Sequence, residues 1–140
     1  MRGKENRTPQ AFTALIAAGL CAGAIAQQPS GTYDEKWAIA TAEELNRSLP
    51  RQVDPETRWD RVTPGPGLRL TYAYTLLRQP AAQVDIERFN SGMLTTLQKT
   101  ACARANMQEL MKNGVKLAYT YRGSDGKFVS LLELSAQNCR

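Results

Sequence analysis

Two stretches constrain this chain more than anything else in it: Gly67-Leu-Arg-Leu-Thr-Tyr-Ala-Tyr74 and Gly114-Val-Lys-Leu-Ala-Tyr-Thr-Tyr121. Both read Gly, aliphatic, basic, Leu, small, Tyr, small, Tyr. Successive side chains of a strand point to opposite faces, so each copy predicts a strand with one apolar and one polar face. In the first copy Leu68, Leu70, Tyr72, Tyr74 and Leu76 share a face, and Arg69, Thr71, Ala73 and Thr75 point the other way. In the second, Val115, Leu117, Tyr119 and Tyr121 oppose Lys116, Thr120 and Arg122. The rest of the chain must pair with these strands or cover their apolar side. An internal duplication would explain the likeness, and so would two edge-like strands solving the same packing problem.

The covering elements are legible as helices. Thr32-Tyr-Asp-Glu35 has the form of a capping box, and a helix over about Tyr33 to Ser48 would present Ala38, Ala42, Leu45 and Leu49 as one stripe before Pro50 ends it. Asp85 caps a second helix carrying Ile86, Phe89, Met93, Leu94 and Leu97. A short third helix, capped by Asn106 with Glu109, buries Met107, Leu110 and Met111 and stops at Asn113-Gly114. Thr57 to Thr63 is expected to form a hairpin with the first motif strand, because Pro64-Gly65-Pro66-Gly67 turns almost by force. Gly123-Ser-Asp-Gly126 closes a second hairpin onto Lys127 to Ser135. That last strand has Phe128, Leu132 and Leu134 against Val129 and Leu131, which makes it the expected central strand. Together these elements predict an α+β fold: a four-stranded, mainly antiparallel sheet of two β-hairpins, two to three helices on one face, and one disulfide.

The first 26 residues read as an export leader: Arg2, Lys4 and Arg7, an apolar run from Ala11 to Leu20, then Ala24-Ile25-Ala26 before polar Gln27. Cleavage after Ala26 leaves one domain over 27–140. The run is short for a membrane anchor, which needs about 20 apolar residues. Leu20 occupies the position where a lipoprotein signal, which would acylate Cys21, wants a small residue. Of the 18 basic and 13 acidic residues, three and one fall in the leader, so the remainder is only mildly basic and shows no run of the kind that reads nucleic acid. Removing Cys21 leaves Cys102 and Cys139, an even pair in an exported chain, for which one disulfide is the only connectivity.

Reaction chemistry is hard to place. The chain has no histidine, so Ser-His-Asp and Cys-His arrangements and His-ligated metals are excluded. Neither GxxxxGK[ST] nor GxGxxG follows a strand. No catalytic residue, metal ligand or cofactor is expected. The one carboxylate cluster, Asp54, Glu56 and Asp60, is interleaved with Arg51, Arg58 and Arg61. A glycosidase needs one of two carboxylates kept protonated in a dry pocket, and arginine-rich surroundings favour the ionised form. Tyr72, Tyr74, Tyr119 and Tyr121 are expected in the core, with a ligand platform as the alternative. The candidate partner surface is then the polar face: Arg69, Thr71, Thr75, Lys116, Thr120 and Arg122.

The combination Val53-Asp-x-x-Thr-Arg-Trp-Asp60, Gly65-Pro-Gly-x-Arg-Leu-Thr-Tyr-x-Tyr-Thr-Leu76, Cys102, Gly114-Val-x-Leu-x-Tyr-x-Tyr-Arg122 and Cys139 resembles a group of small exported proteobacterial proteins of unassigned function. The resemblance covers nearly all of the chain after the leader. It implies a Gram-negative periplasmic address and the disulfide, and carries over no functional residue. In architecture the chain is more loosely similar to the disulfide-bonded pilotins that escort secretin subunits. These readings point to a non-enzymatic periplasmic binding protein, an adaptor, chaperone or immunity-type inhibitor whose partner is another envelope protein. The alternative is a small hydrolase using Asp54, Glu56 and Asp60.

Overall fold

The structure, a computed structural model, describes residues 33–139. The leader, its cleavage site, Cys21 and Thr32 of the expected capping box lie outside the described residues. Among the described residues are three α-helices and five strands. Helix α1 spans Glu35–Asn46 and is capped by Asp34, whose carboxylate accepts from Trp37 N at 2.7 Å. This corrects the expected capping box: Asp34 is the cap, and Glu35 is the first helical residue, an acid of the kind that favours a helix N-terminus. Ala38 and Ala42 are buried, so α1 lies close on the sheet through its small residues. At its end the Asn46 side chain takes both polar groups of Val62: Nδ2 donates to Val62 O at 2.8 Å, and Val62 N donates to Asn46 Oδ1 at 2.7 Å. The amide stands in for a strand residue where the neighbouring strand has run out.

That neighbouring strand was not expected. Strand β1, Arg51–Asp54, pairs antiparallel with β2, Thr57–Pro64, and is exposed throughout. It begins directly after Pro50 and holds one apolar residue, Val53, so no alternation marks it in the sequence. Strand β3, Arg69–Leu76, follows across the Pro-Gly-Pro-Gly turn, where Gly65 and Gly67 take φ of 74° and 65°. That is the left-handed region the turn requires. Helix α2, Ile86–Cys102, starts at the expected Asp85 cap, whose carboxylate accepts from Arg88 N. Helix α3, Ala105–Lys112, starts at Arg104 without a side-chain cap, which corrects the Asn106 assignment; Asn106 falls within the first turn. The helix ends as expected at Asn113 and Gly114, the latter at φ 88°. Strands β4, Lys116–Arg122, and β5, Phe128–Leu134, complete the sheet.

The sheet is five-stranded and mixed, in the order β1-β2-β3-β4-β5, rather than four-stranded and mainly antiparallel. The two hairpins form as expected, but they join through a parallel β3–β4 pair. A parallel pair needs a crossover, and α2 and α3 supply it. The pairing sets the two motif copies side by side in register, Arg69 on Lys116, Leu70 on Leu117, Tyr72 on Tyr119 and Tyr74 on Tyr121. Both copies are thus central, not edge-like. The expected central strand, β5, is instead an edge. A register break beside Tyr121 and Arg122 puts Val129 with the core and Phe128 opposite Arg122, while Leu131 faces the polar side opposite Thr120; Phe128 and Leu131 stay exposed at 61% and 51%.

The helices pack on one face, over a core of Leu70, Tyr72, Leu117, Tyr119, Tyr121, Val129 and Leu134. Cys102 and Cys139 are bonded, with Cα atoms 5.3 Å apart, tying the end of α2 to the 3-10 turn Ala136–Cys139 beyond β5. No helix among the described residues is long and apolar enough to cross a membrane.

Candidate functional site

Alternation along β2, β3 and β4, combined with the in-register parallel pair, stacks aromatic rings across the apolar face. One row runs Trp59, Tyr74, Tyr121, with centroids 6.1 and 5.3 Å apart and rings within 20° of parallel. Phe89 of α2 closes it edge-on against Tyr121 at 5.0 Å, and the Arg51 guanidinium covers the open end, 5.2 Å above Trp59. The second row joins Trp59 to Tyr72 at 5.7 Å and Tyr72 to Tyr119 at 5.2 Å.

The helices do not cover all of this ladder. Helix α1 packs over β2 and β3, and α2 lies towards β5. Between them remains a hollow of about 410 Å³ floored by Trp59, Tyr72, Tyr74 and Tyr119. Leu45 of α1 lines it together with Leu97 and Ala101 of α2 and Met107 of α3. Arg51, Thr100 and Arg104 supply the polar part of its lining, and no carboxylate lines it. Along α2, one turn before Leu97, a second hollow of about 330 Å³ is lined by Leu76, Phe89 and Met93, with Arg78 and Glu56. Both hollows are lined by α2, one at Leu97–Ala101 and the other at Phe89–Met93, and the pair is called the trough along α2 below.

Burial holds the phenols protonated. It pushes Tyr74 up to about 12, with Tyr72 adding to the rise and Arg51 opposing it, and it raises Tyr72, Tyr119 and Tyr121 as well. Tyr72, Tyr119 and Tyr121 are buried, as a core assignment requires, while Tyr74 is half-buried. Three of these rings, Tyr72, Tyr74 and Tyr119, also form the floor of the hollow. Among the described residues no side-chain hydrogen bond engages their hydroxyls, and Trp59 Nε1 is buried without an acceptor.

The polar-face set expected from the sequence, Arg69, Thr71, Thr75, Lys116, Thr120 and Arg122, does come together on the side away from the helices. Four of the six are engaged within the molecule, although Arg69 Nε is also buried without an acceptor. Arg69 reaches Glu133 at 2.5 Å and Lys116 reaches the same carboxylate at 3.7 Å. Thr75 Oγ1 donates to Asp60 at 2.6 Å, Arg58 Nε donates to the other Asp60 oxygen at 2.5 Å, and Arg122 donates to Gly126 O at 3.0 Å. The carboxylates Asp54, Glu56 and Asp60 are not assembled into a pair. Asp54 accepts from Glu56 N in the β1–β2 turn, whereas Asp60 belongs to the polar face. No group of three His, Cys, Asp or Glu among the described residues could hold a metal.

No family model matches the chain, and no curated relative does. Solved structures share its fold, and they are small secreted and secretion-system proteins, as the motif resemblance implied. A Pseudomonas aeruginosa protein described as secreted superposes with a TM-score of 0.63 at 20% identity, over 76% of this chain and 92% of that one. The pilotin EpsS of the Vibrio vulnificus type 2 secretion system gives 0.63 at 16% identity, over 76% and 91%. The type II secretion pilotin AspS of Vibrio cholerae gives 0.58 at 15%, over 75% and 91%.

Proposed function

We propose that this protein is a non-catalytic interaction module of the Gram-negative envelope that seats an apolar segment of another envelope protein in the trough along α2. The observation that carries this reading is the aromatic floor left open between α1 and α2 at the centre of the sheet. Aromatic rings supply large apolar contact with a polar tip, the composition favoured where a partner docks. The fold shared with two type II secretion pilotins supports an escort role, and the dispersed carboxylates favour binding over hydrolysis. The address in this reading is the periplasm, reached by cleavage after Ala26, which an intact mass beginning at Gln27 tests.

A second reading keeps the polar face as the partner surface, since Arg58, Arg61, Arg69, Lys116 and Arg122 share a face that no helix covers. Photo-crosslinking in living cells separates the two. A crosslinker at Met107 should give a discrete adduct and one at Thr120 none. The reverse pattern moves the function to the polar face, and adducts from neither position overturn the interaction reading.

A further inference from the structure

We infer that the segment seated in the trough is a helix carrying acidic side chains beside its apolar stripe, placed to meet Arg51 and Arg104. This rests on the trough reading above and adds the chemistry of the partner. Arg51 and Arg104 line the central hollow, which has no carboxylate of its own. Every ion pair among the described residues uses other bases: Arg47, Arg58, Arg69 and Lys116. Arg51 spends only its flat face, on Trp59, which leaves its N–H edges for an acceptor. Both arginines are exposed at the rim of the hollow, so a carboxylate on the occupant can reach them and form charge-assisted hydrogen bonds that a neutral apolar occupant cannot.

Length argues for a helix. Phe89 and Ala101, which mark the two ends of the trough on α2, are separated by about 18 Å at 1.5 Å per residue, room for about three turns. A helix in a groove reads as apolar anchors at i, i+3, i+4 and i+7, with polar neighbours setting orientation. The basic excess is confined to the central hollow, since in the second one Arg78 is balanced by Glu56.

The test is selection of a random library of peptides of about 16 residues on the intact folded protein. Retained peptides are then measured by fluorescence anisotropy. The expected winners carry an apolar stripe at helical spacing flanked by Asp or Glu, lose binding to Leu97→Arg, and bind the R51E/R104E variant on the order of tenfold more weakly. A fresh selection on R51E/R104E should return Lys or Arg at the positions where the wild type returned acids. Both variants are checked for wild-type thermal unfolding first. Peptides that Leu97→Arg blocks but that carry no acidic preference overturn this inference and leave the trough reading standing. Peptides indifferent to Leu97→Arg, winners displaced by decanoate alone, or an empty selection overturn the trough reading itself.

Discussion

The polar face of the sheet and the aromatic trough both present arginines and hydroxyls, and they dispose of them in opposite ways. On the polar face Glu133 collects Arg69 and Lys116, and Asp60 collects Arg58 and Thr75. In the trough Arg51 and Arg104 have no carboxylate, and the phenols are held protonated without a side-chain partner among the described residues. Counting charges would rank the polar face first. Asking which groups the fold itself has already satisfied ranks the trough first, because a group spent internally must be released before it can serve a partner.

Four measurements sharpen or break that contrast. Tyr119→Ala removes a buried ring from the floor and should cost about 3 to 5 kcal/mol in chemical denaturation. A fully stable variant that loses a partner would make the ring a pure contact residue. The double change Cys102→Ser and Cys139→Ser should lower stability by up to about 4 kcal/mol, the entropy of the loop that the bond closes, with the fold unchanged by circular dichroism.

Alkali provides the third test. The folded phenols have raised pKa values, so above pH 10 the unfolded chain releases protons that the folded one keeps. Their contribution is complete below about pH 10 and is lost as the pH rises towards about 12 and beyond. Stability should be level near neutrality and fall through that window by at most about 1.4 kcal/mol per pH unit for each phenol. Tyrosinate absorbance that rises near pH 10 without unfolding would show the rings to be open to water.

The smallest effects discriminate the faces most directly. Reversing Arg69 and Lys116 to Glu takes both partners from Glu133 and should cost about 1 kcal/mol. Arg104→Glu breaks no ion pair among the described residues and should change stability by less than about 0.5 kcal/mol. Equal costs at the two sites would mean that Arg104 has a structural partner after all.

Much of the fold was legible because it is written in local rules. The motif strands follow from alternation, the Pro-Gly-Pro-Gly turn from φ, the Asp85 cap from its side chain, and the Cys102–Cys139 bond from simple counting once export was expected. The misses share a different cause. Strand β1 exists because β2 offers it an edge, not because Arg51–Asp54 prefers to be extended. The parallel β3–β4 pairing depends on where α2 and α3 deliver the chain, which no alternation encodes. At Val129 a register break, and at Leu131 an exposed apolar residue, made an edge strand look buried on both sides. The site inherits these gaps. Alternation separated the two faces correctly, but the hollow is defined by where the helices fail to cover, and Arg51 reaches it only on a strand that the sequence did not announce.

The disulfide also has a mechanical meaning. It closes residues 102–139 into a covalent ring that holds α3, β4 and β5. Tension applied along the chain crosses that ring through the sulfurs, so its hidden length cannot be paid out. Only the part before Cys102 can unravel, and the line on which it parts from the ring is the β3–β4 seam, where the two copies of the Tyr-x-Tyr motif lie side by side. The sequence likeness between those strands is therefore also the map of the boundary that must part under load.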